Sequence, residues 1–434
     1  MTLKALASAA SVQAILRTNS ILVECDGSVR RITLDKFIDS LNSGETELLR
    51  SVAWGIPLKQ GVQSSSAWGR EGNLDMWAQF KSQCGRYLVK NNGHAAKLSK
   101  TNSGIYADGT PLNEAIGHVI FHAPALHYRV ITDAVSGIPY LWMSMIPLGG
   151  HCIPETNIGA YKASMSGSAL TSRSGVAPAG SKTITAFWNA AQVNGKDWGI
   201  INYDHKKLMM MLLLSEYGNP NAQMVLGNGL TGTNNGSDWQ TCLAFPCGNT
   251  KGLGDSFGAV EHNYQMSNGT MTTGANDISL LGIENPYAQQ WEFTQGIYCG
   301  NSGNAGQDGS EVFIYEGNRL PSASELATHP EGDFRQLTRL TSSGYIQKET
   351  LGEFFDLVPA QHGGGGTSYW GDYHYANNTG QVLLWGGSAH HGASCGLASA
   401  CSDLAWSYSH AYIGSRLAYY GELTVMSGAQ LVAE

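Results

Sequence analysis

The run GIENPYAQQWEFTQGIYC, residues 282–299, passes from a turn-prone Glu284-Asn285-Pro286 into a stretch dominated by aromatic and β-branched residues: Trp291, Phe293, Thr294, Ile297 and Tyr298. Such residues fit a pleated, half-buried surface, so the run reads as a strand. Further along, VFIYEG (312–317) and QVLLWGG (381–387) carry the same signal, and the Gly/Asn-rich chain of 219–281 reads as strand-poor loop. On the other side, YDHKKLMMMLLLSEYG (203–218) reads as a core-facing helix. Its expected N-cap is Tyr203-Asp204, and Gly218 stands at its C-terminal end. SKTITAFWNAAQ (181–192) reads as a second helix, and GRYLVK, HVIFHAPALHYRVIT and IPYLWMSMI between residues 85 and 146 as strands. Residues 21–40 alternate around Asp26-Gly27, predicting a hairpin that leads into a short amphipathic helix. The polar stretch holding Gly61, Val62, Ser64 and Ser65 serves as a linker, and the glycines at 363–366 form a flexible loop with no Lys-Ser/Thr to make a phosphate cradle.

Composition narrows the function. Hydrophobic residues at 42% are enough for a packed core, whereas 54 glycines and only 14% charged residues imply many turns and a surface made polar by neutral side chains. A formal charge of −8, with Lys348 and Arg416 the only basic residues after Arg339, gives no footprint for nucleic acid or an anionic membrane. The longest apolar run, LMMMLLL at 208–214, is far short of the roughly 20 residues a spanning helix needs. Gln13, Arg17 and Asn19 interrupt any signal-peptide core, so no secretory signal is expected. Eight cysteines without CxxC or Cys/His spacing predict neither a disulfide framework nor a zinc site.

The order FWNAAQ, WGIINYDHKKLMMMLLLSEYGNPNAQ, SLLGIENPYAQQWEF, then Gly386-Gly387-Ser388 and a closing Gly414-Ser415-Arg416-Leu417, resembles the C-type lectin-like fold in its formylglycine-generating-enzyme-like variety. Within that fold the chain is most similar to the variable proteins of diversity-generating retroelements, notably receptor-binding proteins at phage tail-fibre tips of the Bacteroides-phage type. The resemblance implies an α+β fold with an attachment module at 1–50, a linker and β-rich neck at 51–120, a lectin-like domain at 121–424 with a hypervariable region at 388–412, and a tail at 425–434. It also implies a homotrimer on the virion, joined to other tail proteins through the N-terminus and presenting a non-enzymatic surface to a bacterial glycan or protein receptor.

In that family the terminal interval is diversified at adenines, and the codons concerned cannot yield Met, Trp, Lys, Gln or Glu. Between Ala389 and Tyr412 the chain holds none of Met, Lys, Gln or Glu, and Trp406 alone lies outside the reachable set. Varied side chains must point outward, because core positions cannot absorb large changes in volume without a loss of about 2–5 kcal/mol. The expected exposed set is therefore Ala389, His390, His391, Ser394, Cys395, Ser399, Ala400, Cys401, Ser402, Asp403, Tyr408, His410 and Tyr412, with Trp406 as a fixed anchor. Trp370, Tyr373 and Tyr375 either extend it or pack in the core or as loop anchors. Gly386, Gly387, Gly392, Gly396, Leu397, Ala405, Ile413, Gly414, Arg416 and Leu417 would hold the backbone.

Two rivals compete. A bacterial surface adhesin would need an export signal. A copper-dependent oxidase of the formylglycine-generating type would use Cys395 and Cys401, which must then converge and be partly exposed. Adjacent His390 and His391 point to opposite faces of an extended chain and are too few for a metal site. No cofactor is expected, although a structural Ca²⁺ on the oxygens of Glu284, Asn285 and Asp277 is compatible with the fold family.

Overall fold

The computed structural model describes residues 20–25, 28–33, 46–61, 67–231, 239–262, 275–315, 317, 319–322, 325, 334–365 and 368–434. Ser20–Cys25 and Ser28–Thr33 pair antiparallel with Cys25 opposite Ser28, while the Asp26-Gly27 turn, the helix expected at 34–40 and the 62–66 part of the linker lie outside the described residues.

The rest is a mostly β, α+β architecture with three larger sheets, the first antiparallel and the other two mixed. A five-stranded sheet runs His151–Ile153, Leu126–Thr132, Pro139–Ser144, Trp54–Pro57, Glu71–Gly72. A seven-stranded sheet runs Trp198–Ile200, Leu417–Tyr419, Thr156–Gly159, His118–Ala123, Gly85–Val89, His94–Lys97, Thr424–Met426. The nine-stranded sheet runs Phe334–Thr338, Glu311–Tyr315, Trp291–Cys299, Val382–Trp385, Ala400–Leu404, Tyr373–Ala376, Gly344–Leu351, Asp356–His362, with Ile413–Gly414 parallel to Trp291–Cys299.

Residues 51–120 and 425–434 contribute strands to these sheets. Trp54–Pro57 pairs with Pro139–Ser144, and Gly85–Val89 with His118–Ala123. Thr424–Met426 lies parallel to His94–Lys97, and Leu431 beyond it is buried. Both stretches thus pack against the strands of 118–144 and the 94–97 strand, burying their apolar residues there.

The opening run splits. Ile283–Glu284 is a short strand; Asn285, Ala288 and Gln289 then take positive φ of 47, 60 and 54°, and Trp291–Cys299 begins after them. Asn285 tolerates this because its side chain is bonded on both sides, Nδ2 to Asp277 Oδ1 at 2.7 Å and Oδ1 from Ile278 N–H at 2.9 Å. All nine residues of Trp291–Cys299 are buried. The region 219–281 is richer in strands than its composition suggests, since Gly258–His262 pairs with Ala275–Leu280.

Helix Ile184–Gln192 is capped by Thr183, and helix Tyr203–Tyr217 by Asn202 rather than Tyr203-Asp204: Asn202 Oδ1 accepts the His205 N–H while His205 Nδ1 accepts the Asn202 N–H, both at 3.0 Å. Gly218 ends that helix at φ 57°. The helix is enclosed on every side, so Lys206 and Lys207 are buried with its leucines and methionines. Lys206 ends on Glu292, which also takes Lys162 at 3.2 Å and Arg416 at 2.9 Å. Arg416 further donates to the carbonyls of Gly159, Ala160, Glu284 and Asn285 at 2.8–3.1 Å. The closing Ser415-Arg416-Leu417 thus ties the seven-stranded sheet to the start of the Trp291–Cys299 strand. Those three cations hold the Glu292 carboxyl far below the usual carboxylate range, while burial pushes Lys162 down to about 8.

Candidate functional site

The segment 388–412 leaves the sheet after Val382–Trp385, re-enters it as Ala400–Leu404 and leaves again before Ile413–Gly414. Gly386 and Gly387 make the exit at φ 95 and 74°, and a side chain at 387 would meet the Cys395 sulfur at 2.5 Å.

Polar side chains from outside the segment hold its backbone. Gln223 Nε2 donates to the carbonyls of Gly392, at 3.2 Å, and Cys395. Asp372 Oδ2 accepts the Ala398 N–H at 2.8 Å, Asn377 Nδ2 donates to Asp403 O at 3.1 Å, and Gln381 Oε1 accepts the Trp406 N–H at 2.9 Å. Gln290 Nε2 donates to Ala411 O at 2.9 Å. Each partner atom is main chain, so these bonds do not depend on which side chain occupies the position. Gly396 is constrained more tightly, since a methyl there would sit 1.8 Å from Asp372 Oδ1.

The expected outward set divides. His390 is exposed, and His391, Ser394, Asp403, Trp406, Tyr408, His410 and Tyr412 are half-buried. Ala389, Cys395, Ser399, Ala400, Cys401 and Ser402 are buried, against expectation. The reason is topological: Ala400–Leu404 is an interior strand whose successive residues enter opposite faces, Ala400 packing in one hydrophobic cluster and Cys401 in another. Ala389 plugs into a small cluster with Leu230, Cys242 and Ala275. Ser399 Oγ donates to Tyr373 O at 3.1 Å. Ala405, expected to hold the backbone, is exposed, as are Ala393, Ser407, Ser409 and Ala411, which the sequence reading passed over. Leu397, Ile413, Gly414, Arg416 and Leu417 are buried. Trp406 donates from Nε1 to Thr185 Oγ1 at 3.0 Å and packs on Tyr298, fastening the segment to helix Ile184–Gln192.

Trp370 is fully buried, edge-on to Trp68 at 5.4 Å, so of its two expected roles it takes the one in the core. Tyr373 and Tyr375 face outward with His374 buried between them, the alternation of a strand with one open face. Their rings begin a continuous belt. Tyr345 meets Tyr373 at 4.9 Å, Tyr373 meets Tyr375 at 4.6 Å, Tyr375 meets His391 at 4.8 Å and His391 meets His390 at 5.5 Å. His390 then meets Trp239 at 5.9 Å, and Trp239 meets Tyr412 at 5.9 Å and His410 at 6.1 Å. Tyr412 and Tyr408 join through their hydroxyls at 3.1 Å. Trp239 and Tyr345 were missed because nothing local marks them; only the fold brings residue 239 beside 390 and 412. The Tyr-His-Tyr alternation at 373–375 was the one available signal.

The redox rival lacks its geometry. The thiols of Cys395 and Cys401 are buried in different clusters, one donating to Ser388 O at 3.2 Å and the other to Asp403 Oδ1 at 2.9 Å, and burial pushes both thiols well up, against the thiolate. A hydrolytic relay fares no better. His374 lies 2.8 Å from Ser402 Oγ and 3.2 Å from His362, but Ser402 is buried and its oxygen also accepts from Arg339 at 2.9 Å. The Glu284 carboxylate spends its oxygens on the N–H groups of Gly248 and Thr250, at 2.6 and 2.8 Å. Among the described residues no group of three or more His, Cys, Asp or Glu could hold a metal, and no helix is long and apolar enough to cross a membrane.

No protein-family model and no curated protein matches the chain. A solved structure named Major Tropism Determinant M1 Variant aligns over 95% of this chain and 88% of its own at 12% identity, with a TM-score of 0.29. At that score the fold and function rest on the chain's own residues.

Proposed function

We propose that this is a receptor-binding protein of a phage tail-fibre tip, with a C-type lectin-like domain of the formylglycine-generating-enzyme-like variety that displays a diversified surface to a bacterial receptor. The observation that carries the reading is the hold on main-chain atoms by Gln223, Asp372, Asn377, Gln381 and Gln290. A catalytic loop needs its own side chains fixed; this segment is held by its backbone, and many of its positions reach solvent. Exposed or half-buried positions are His390, Ala393, Ser394, Asp403, Ala405, Ser407, Tyr408, Ser409, His410, Ala411 and Tyr412, a mixture of rings and small polar groups like that of an antibody paratope. A homotrimer attached through its N-terminal segment fits the role, because several weak contacts on one cell raise avidity by about 10²–10⁴-fold.

The test is binding of fluorescently labelled protein to a panel of bacterial strains, Bacteroides among them. Saturable binding to some strains is expected, and it should be lost in a His390→Ala, His410→Ala, Tyr412→Ala triple variant whose unfolding midpoint matches the parent. Folded protein that binds no strain would refute the reading.

A further inference from the structure

We propose that the ring belt is a stacking platform for a saccharide chain, and that Trp239 is its fixed central ring. This rests on the receptor-binding reading and names the chemistry of the receptor. The belt's rings follow one another at 4.6–5.9 Å from Tyr345 to Trp239 and Tyr412, a step on the scale of one pyranose ring, with successive rings turned by 49–88°, so that a chain laid along them meets ring faces and ring edges in turn. Apart from the exposed His390 each is half-buried, so part of the ring is packed and part is open. A sugar presents an apolar face of polarised C–H bonds with hydroxyls at its rim; the electron-rich face of Tyr or Trp suits the first. The second is met by the imidazoles of His390, His391 and His410, the hydroxyls of Tyr408 and Tyr412, and Asp403.

A protein receptor asks for other features. Protein interfaces draw their energy from anchors that enter desolvated pockets and from arginine-rich contacts. The belt itself holds no arginine or lysine, and of the two basic residues after Arg339, Arg416 is buried under Glu292.

Trp239 lies outside 388–412 yet touches both arms of the segment, His390 on one side and His410 and Tyr412 on the other. It packs against the Leu230, Cys242, Ala275, Ala389 cluster, which fixes its position. Trp239, Tyr345, Tyr373 and Tyr375 therefore stay constant while 388–412 changes. The constant rings select sugar as a class, and the variable positions select which sugar.

The experiment treats a strain that binds the parent protein either with periodate, which cleaves vicinal diols, or with proteinase K. Binding should vanish after periodate and survive proteinase; the reverse pattern overturns the saccharide assignment while leaving receptor binding intact. If no strain binds the untreated protein, the receptor-binding reading falls and takes this one with it. Trp239→Ala should weaken binding at least ten-fold and Trp239→Phe less than three-fold, both at the parental unfolding midpoint. Undiminished binding by Trp239→Ala overturns the role of that ring, and if that variant does not fold, a ten-fold or greater loss in folded Trp239→Phe, or undiminished binding by Tyr375→Ala, overturns the platform.

Discussion

Substituting Glu292 by Gln keeps the shape of the central buried cluster and removes its single negative charge. Glu292 balances Arg416 at 2.9 Å, Lys162 at 3.2 Å and Lys206, all four side chains being shielded from water. At an effective dielectric of about 20, each contact near 3 Å contributes about 5 kcal/mol of attraction. Much of that offsets the cost of having removed the ions from water, and deleting one partner of such a buried group leaves a net loss of about 3–5 kcal/mol. Because a domain has only about 5–15 kcal/mol in total, the Glu292→Gln protein should be barely folded at pH 7. Urea unfolding followed by tryptophan fluorescence measures this directly. The pH dependence checks the cause. Lys162 already titrates near 8, so at pH 10 it is neutral in the folded parent and its attraction to Glu292 is gone. The deficit of the variant should then be smaller at pH 10 than at pH 7. A loss under 1 kcal/mol at pH 7, or a deficit that does not change with pH, would refute the argument.

Other outcomes follow from the same structure. His205 is held neutral by burial, its ring pushed down to about 4, and a glutamine there can keep the bond to the Asn202 N–H. Its folded value lies below its unfolded one, so the parent loses stability as pH falls from about 6.5 towards 4, by about 3 kcal/mol from this group; His205→Gln should lack that part of the loss in urea titrations at pH 7 and pH 4. Both Glu349 carboxylate oxygens are buried without a hydrogen-bond partner among the described residues, and burial raises that carboxyl well above its usual range. Since its raised folded value makes it a burden above the unfolded one, Glu349→Gln should raise the thermal midpoint at pH 8, equivalent to about 1–3 kcal/mol. Gly396→Ala should cost at least about 2 kcal/mol by collision with Asp372, whereas Ala393→Tyr and Ser409→Asn, at exposed positions, should shift stability by less than about 0.5 kcal/mol in the same assay. With a thiol reagent, exposed Cys152 should react in the native protein, and Cys395 and Cys401 only after denaturation.

Strongly patterned elements were legible. GRYLVK and HVIFHA announce strands by their β-branched and aromatic residues, and the apolar run before Gly218 announces a buried helix. The interior strand Ala400–Leu404, sequence ACSDL, was not legible: its small residues are as common in loops as in strands, and it is a strand because Tyr373–Ala376 and Val382–Trp385 flank it. For the same reason the six buried members of the expected surface looked exposed. Alanine, serine and cysteine pass for surface or core, and only the pairing decides. The buried position of Arg416 was not legible either: its four carbonyl partners come from segments more than 100 residues earlier, which no local pattern shows.

The position of Leu417–Tyr419 has a consequence for how the molecule is made. This strand lies inside the seven-stranded sheet, between Trp198–Ile200 and Thr156–Gly159, and Thr424–Met426 completes the far edge against His94–Lys97. Both are synthesised after residues 388–412. A ribosome that stops or slips anywhere in 388–412 therefore releases a chain with a gap in its main sheet, which quality-control proteases can remove. Full-length translation of this stretch thus becomes a condition of folding, and each folded copy certifies that residues 388–412 were read through to the end.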